Sequence, residues 1–279
     1  MKENSVLGLT TQGFHRVAYT EWGERNAEPA VVCVHGLSRN GRDFDYLAAA
    51  LQPDRRVVCP DIVGRGRSDW LADKQLYSLL TYCADLTALL ARLDSQVVDW
   101  VGTSLGGLIG MILAAQPNSP IRRLVLNDAG PFVPKAAPQR LLAYVGLAPS
   151  FPTVADAETY LRKVLAPFGA LTDEQWAHLT RHSVRQSASG DYSMAYDPGI
   201  VAPMKAVPLQ DWDLWPVWDQ IRCPVLVLRG ADSDVLLPEI AAQMQRRGPG
   251  AEVVEFAGVG HAPALMAPEQ IEVIRRWLL

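Results

Sequence analysis

Six short apolar runs, rich in β-branched residues, recur along this chain, and turn residues close each one before a helical pattern begins. They are Val31–Val34, Val57–Cys59, Val97–Val101, Leu124–Leu126, Val225–Leu228 and Val253–Phe256. Most are apolar throughout rather than at alternate positions, the pattern of strands buried on both faces of a parallel sheet. Helical stripes fill the intervals. Tyr82, Leu86, Leu89, Leu90 and Leu93 fall on one face of a helix, and Ile271, Ile274, Trp277 and Leu278 repeat the spacing after Pro268, a residue suited to a first helical turn. This alternation predicts an α/β fold: a doubly wound, mostly parallel sheet with helices on both faces. Gly13 to Gly23, with Phe14, Val17 and Tyr19 among polar residues, reads as an antiparallel edge strand.

The rhythm breaks once. From about Pro131 to Trp215 there is no buried-strand run, only helical patterns such as Ala155–Leu165 and Thr172–His182. We therefore expect a single domain, residues 1–279, with a helical cap, or lid, inserted at about 131–215. Long insertions on α/β sheets often shape the active site.

Composition narrows the function classes. Lys plus Arg number 26 against 30 for Asp plus Glu, a net charge of −4. A nucleic-acid binder needs a basic excess to release counterions from phosphate, so that class is disfavoured. No apolar run reaches the ~18 residues of a membrane span, and Met1-Lys2-Glu3-Asn4-Ser5 lacks the apolar core of a secretory signal. Cys33, Cys59, Cys83 and Cys223 form neither a disulfide framework nor a C-x-x-C pair. The expectation is a cytoplasmic, reducing-compartment protein.

The sharpest motif is Gly102-Thr103-Ser104-Leu105-Gly106, between the run ending at Val101 and the helical run Leu108–Ala115. Glycines two before and two after a serine let a strained turn pack between strand and helix, the context of a nucleophile elbow. The helix N-terminus there favours developing negative charge. His35-Gly36-Leu37 follows another strand, and its turn would bring the Leu37 backbone N–H beside that of Leu105 as an oxyanion hole. His35 itself reads as a structural residue of the turn.

Of five histidines, only His261 follows the last apolar run, in the loop Gly258-Val259-Gly260-His261-Ala262-Pro263, and it is the candidate general base. His178 and His182 lie four apart on a helical pattern, but no Glu follows His178 and no third ligand is evident. They read as polar residues of the cap, and no metal is expected. For the acid, the loop Arg229-Gly230-Ala231-Asp232-Ser233-Asp234 offers Asp232 and Asp234, and Asp128 follows the preceding strand. Asp234 is favoured because it lies further out along the loop, four residues before Pro238. Asp232 then stabilises the turn, and Asp128 is the outside alternative. Asp61, which precedes the elbow, reads as a loop-bracing carboxylate.

Together these segments resemble the α/β-hydrolase superfamily. His35-Gly36, the Asp61–Ser68 loop, the Gly102–Gly106 elbow, the Asp232/Asp234 loop and Gly260-His261 stand in that family's order, with the insertion at the usual place of its lid. The resemblance implies Ser104 as nucleophile, His261 as base and an aspartate of the Asp232/Asp234 loop as orienting acid. A serine at the elbow, rather than an aspartate, departs from haloalkane dehalogenases and epoxide hydrolases. The expected activity is a cofactor-independent serine hydrolase that cleaves carboxylic esters of small to medium acyl chain, with an apolar acyl group, through an acyl-enzyme. Phe168 and Trp176 of the cap are candidate substrate contacts. Carbon–carbon bond, thioester or lactone hydrolysis and acyl transfer are alternatives on the same residues, whereas a non-catalytic ligand-binding module has no need to retain all three.

Overall fold

The computed structural model describes all residues, Met1–Leu279. Its framework is an eight-stranded sheet of β1 (Lys2–Thr10), β2 (Gly13–Trp22), β3 (Ala30–Val34), β4 (Val57–Pro60), β5 (Val98–Thr103), β6 (Ile121–Asn127), β7 (Val225–Gly230) and β8 (Glu252–Phe256). The spatial order is β1-β2-β4-β3-β5-β6-β7-β8. β2 runs antiparallel to both neighbours, and every other adjacent pair is parallel. All six apolar runs are strands of this sheet. The antiparallel segment from Gly13 is not the edge, because β1 pairs along its whole length. β1 carries no apolar run: Leu7 and Leu9 are exposed, so its pairing leaves no buried-face pattern to read.

Alternation along the strands divides their side chains between two cores. Val32, Val34, Val58, Trp100, Leu124, Leu126 and Val227 face a large cluster with α2 (Leu79–Leu93) and α3 (Leu105–Ala114). Their neighbours Val31, Cys33, Val57, Val101, Val125, Leu226 and Leu228 face a smaller one with α1 (Asp45–Leu51) and the C-terminal helix Pro268–Leu278. Each fully buried Val or Leu contributes about 1.5–3 kcal/mol, so both faces must be covered for such strands to be stable.

Between β6 and β7, residues 131–215 form α4 (Ala136–Leu142), α5 (Val154–Val164), α6 (Asp173–Ser183) and short strands. Thr153 with Asp156, and Thr172 with Gln175, close capping boxes that start α5 and α6. The insertion also holds two small ladders: Phe132–Val133 pairs with Trp212–Asp213, and Tyr192–Met194 pairs with Ser150–Phe151 and Val184–Gln186. These strands are two or three residues long, too short to show a period. Ala157, Leu161, Trp176 and Leu179 join the larger core. Polar pins hold the insertion down: the Gly66 N–H donates to Ala195 O at 2.7 Å, and Asn40 Nδ2 donates to His182 O at 2.8 Å.

Three strand ends meet at the carboxyl edge of the sheet. At the β5–α3 junction Ser104 has φ 49° and ψ −111°, a conformation L-residues adopt at a cost of about 1–3 kcal/mol. The turn is possible because its glycines admit backbone. A Cβ on Gly106 would lie 2.0 Å from Val34 O, and one on Gly102 would lie 2.3 Å from Gly106 O. Buried Trp100 fixes the turn from below, its Nε1 donating to Gly106 O at 3.0 Å. Beside it, after β3, fully buried His35 donates from Nδ1 to Gly36 O at 2.7 Å and accepts the Ile62 N–H at Nε2 at 2.9 Å. Asp61 accepts the N–H groups of Gly41 at 2.8 Å and Arg67 at 2.9 Å, the bracing role read from its position.

Two predictions follow from this edge. Gly106→Ala should lower unfolding stability by about 1–3 kcal/mol, the usual cost of forcing atoms into a packed interior, measured by urea denaturation. An unchanged midpoint would contradict the contact with Val34. Burial pushes the His35 pKa from 6.5 down to about 3, so the unfolded chain binds this proton first. Its contribution to stability is present above pH 6.5 and is lost as pH falls from there towards 3, with a slope of up to about 1.4 kcal/mol per pH unit. Stability curves of the wild type and His35→Gln should therefore converge as pH falls through that window; parallel curves would contradict a neutral, buried imidazole.

Candidate active site

Ser104, His261 and one aspartate converge over the carboxyl ends of β5 and β6. Ser104 Oγ lies 2.9 Å from His261 Nε2, and His261 Nδ1 lies 2.7 Å from Asp128 Oδ2. With Nδ1–H donating to the carboxylate, Nε2 is left to accept the serine proton. Asp128 is fully buried at the end of β6. Its Oδ1 accepts the Gly230 N–H at 3.1 Å and its Oδ2 the Ser233 hydroxyl at 2.5 Å, so both oxygens are engaged.

Asp234, expected as the acid, does not meet the histidine. Asp234 is more than half exposed and pairs through both oxygens with Arg140 of α4, at 2.8 and 3.0 Å. Asp232 is also exposed, and the turn it was expected to stabilise belongs to Ser233, whose Oγ accepts the N–H groups of Val235 and Leu236 at 3.2 Å. Spacing along the chain could not separate the ends of β6 and β7, because the two strands are adjacent and both face His261. Asn127 is a further residue the sequence reading passed over. Its Nδ2 donates to Pro263 O at 2.8 Å and to Thr103 Oγ1 at 3.0 Å, tying the histidine loop to the elbow strand. Its neighbour Asp128 carries one available signal: it lies two residues beyond the apolar run Leu124–Leu126.

The three residues line a common cavity of about 70 Å³. Ten of its fourteen lining residues are hydrophobic, which suits an apolar ligand around one polar reacting group. Leu37 and Leu105 both line it. Leu105 opens α3, where an N–H has no partner within the helix. A Cβ built on Gly36 would lie 3.7 Å from Ser104 Cβ, which places the turn bearing the Leu37 N–H against the serine.

Phe168 and Trp176 do not line this cavity. Trp176 is buried in the core with the Arg162 guanidinium 5.3 Å from its ring centre, and Phe168 packs against the same core. Large apolar size marked them in the sequence, but size serves packing as well as recognition. The wall contributed by the insertion is instead Val133, Ala137, Pro138, Leu141, Met204 and Trp212.

His178 and His182 do acquire a third neighbour. Asp45 lies with them, all three candidate ligand atoms within 4.8 Å of one another. Both oxygens of Asp45 already accept from Arg42, with Nε at 2.8 and 2.9 Å, so a cation there would have to displace a guanidinium. The same cationic neighbour, after burial itself, holds the His182 pKa down to about 3.

Comparison with known proteins agrees with the geometry. The family model described as alpha/beta hydrolase fold matches residues 29–268. The chain is 45% identical over 276 residues to a 3-hydroxybutyrate-oligomer hydrolase of Cupriavidus necator, covering 96% of this chain and 94% of that protein. Among solved structures, a putative hydrolase from Rickettsia typhi superposes with a TM-score of 0.94 at 32% identity, covering 100% of this chain and 99% of the other. An alpha/beta hydrolase from Novosphingobium aromaticivorans gives 0.87 at 37% identity, covering 99% and 98%. With an elbow serine, a strand-end aspartate and a loop histidine on this sheet, the chain belongs to the α/β-hydrolase family.

Proposed function

We propose that this hydrolase cleaves carboxylic esters of short hydroxy acids, with Ser104 as nucleophile, His261 as general base and Asp128 as the orienting acid. The observation that carries the reading is the chain of contacts from Ser104 Oγ through both nitrogens of His261 to buried Asp128, at 2.9 and 2.7 Å, inside an apolar cavity. The substrate class is suggested by the Cupriavidus necator relative, named for 3-hydroxybutyrate oligomers.

The chemistry follows from the residue types. Ser104 Oγ attacks the ester carbonyl carbon while His261 Nε2 takes the hydroxyl proton. Asp128 holds the Nδ1–H tautomer and balances the imidazolium as it forms. The tetrahedral oxyanion is stabilised by the Leu37 and Leu105 N–H groups, each typically worth ~3 kcal/mol in the transition state. Collapse breaks the bond to the leaving oxygen, which receives the proton from Nε2. Water, deprotonated in turn by Nε2, attacks the acyl-serine, releases the acid and restores the hydroxyl. Residues 131–215 act as the lid of this single domain: they supply one wall of the cavity and set which acyl groups fit.

Activity is tested with p-nitrophenyl butyrate and with linear 3-hydroxybutyrate trimer. Ser104→Ala should lose all measurable turnover of both. Asp128→Asn should lose at least a hundredfold in kcat, because an amide forfeits tautomer control and imidazolium stabilisation, a cost of up to ~10⁴. Asp234→Asn should stay within about threefold of wild type, since that carboxylate is solvated and paired with Arg140. A crippled Asp234→Asn beside a near-normal Asp128→Asn would overturn the assignment of the acid.

A further inference from the structure

The loop Asp61–Ser68 carries two arginines, in Gly64-Arg65-Gly66-Arg67, that meet opposite surroundings. Arg67 points outward, about a third exposed, and pairs with Glu3. Arg65 turns inward and is fully buried. The flanking glycines hold that turn, with φ of 85° at Gly64 and 53° at Gly66. A Cβ on them would lie 2.6 Å from the Tyr77 ring and 2.4 Å from the Asp61 carboxylate, respectively.

A guanidinium in a protein stays charged, and a buried charge is normally paired. Arg65 forms no ion pair. Its Nε donates to Leu37 O at 2.8 Å, and one Nη donates to Val63 O at 2.7 Å and to the Tyr82 hydroxyl at 3.0 Å. The Tyr82 and Tyr77 ring centres lie 4.9 and 5.7 Å from its central carbon, within reach of a cation–π attraction. The other Nη is buried with no partner. Neutral oxygens and ring faces are all that directly surround this charge, and an uncompensated buried charge is costly.

That cost falls beside the catalytic serine. Leu37 lines the same cavity as Ser104, and both peptide groups flanking Leu37 are tied by buried donors. His35 Nδ1 holds Gly36 O, on the peptide that bears the Leu37 N–H, and Arg65 Nε holds Leu37 O on the next. With both peptides fixed, the direction of the Leu37 N–H is set before a substrate arrives. We propose that Arg65 is a positioning residue for ester hydrolysis: it fixes the Leu37 donor and, as a buried cation without an ion-pair partner, favours the negative charge that develops on the ester carbonyl oxygen. The proposal rests on the reading of Ser104 as nucleophile and of the Leu37 N–H as an oxyanion donor. An interaction that strengthens only as the oxyanion forms raises kcat and leaves substrate affinity alone.

The test separates this role from a purely structural one. Arg65→Met removes the charge and the donors on a chain of similar length, whereas Arg65→Lys keeps the charge and loses the fork that reaches Leu37 O. With p-nitrophenyl butyrate, kcat should fall about tenfold or more in Arg65→Met and by a smaller factor in Arg65→Lys, with KM within about threefold of wild type in both. An alkyl trifluoromethyl ketone reports on the same charge: Ser104 Oγ adds to its carbonyl carbon, the hydroxyl proton passes to His261, and a stable tetrahedral oxyanion remains. Its Ki should weaken in step with the loss in kcat/KM. Should Arg65→Met fail to fold by circular dichroism, Arg65→Lys carries the test, with kcat down about threefold or more and the ketone Ki weakened by the same factor. A smaller loss of kcat, a KM outside that range, an equal loss in both variants, or a loss of kcat that leaves the ketone Ki unmoved overturns the proposal. Turnover that survives Ser104→Ala overturns the ester-hydrolase reading and the proposal together, whereas an inactive Ser104→Ala beside a normal Arg65→Met overturns the proposal alone.

Discussion

The close approach of the elbow backbone to the neighbouring strand is the constraint on which the rest of the site depends. Gly106 sits so near Val34 that a single methyl group would fall 2.0 Å from its carbonyl oxygen. That contact lets β5 turn directly into α3 and holds Ser104 at a positive φ, with its side chain clear of the sheet. The stored strain, about 1–3 kcal/mol, is small against the two buried cores that hold the adjoining strands in place.

From that turn the positions of the other groups follow by hydrogen bonding. Asn127 links the elbow strand to the carbonyl of Pro263, two residues beyond His261, and Ser233 with the Gly230 N–H orients Asp128. The Gly260 N–H donates to Pro167 O at 2.7 Å, so the insertion also fixes the histidine loop. Residues 131–215 thus touch the chemistry twice, through the cavity wall and through the loop that carries the imidazole. His35 plays the comparable part for the turn that carries the Leu37 N–H. Its Nδ1–H donates to the carbonyl of the same peptide group whose N–H belongs to Leu37, and hydrogen bonding at one end of a peptide polarises the other.

Much of this was legible in the amino-acid sequence. The buried strands announced themselves because being covered on both faces demands apolar residues at every position, and the elbow because glycine, strand and helix must coincide there. β1 was not legible: one of its faces is solvated, and its Leu7 and Leu9 are exposed. The sequence points to Asp234 where the structure brings Asp128 to His261, because β6 and β7 are adjacent and parallel and chain spacing says nothing about which loop is buried. The burial of Asp128 and its hydrogen bond from Ser233 are both properties of the fold. Phe168 and Trp176 stand out in the sequence yet do not line the cavity, since a large apolar side chain serves a core and a binding wall equally well. The smaller residues that do line the cavity, such as Ala137 and Pro138, carry no mark in the sequence.

The central claim is that Ser104 is the residue activated by this arrangement, and covalent labelling tests it most directly. The protein is treated with an organophosphonate ester, which traps an activated serine, and the modified peptide is identified by mass spectrometry. The account predicts one label per chain, on Ser104, with loss of ester hydrolysis in step with labelling. Activity lost through modification of another residue, or activity kept after Ser104 is fully labelled, would contradict it.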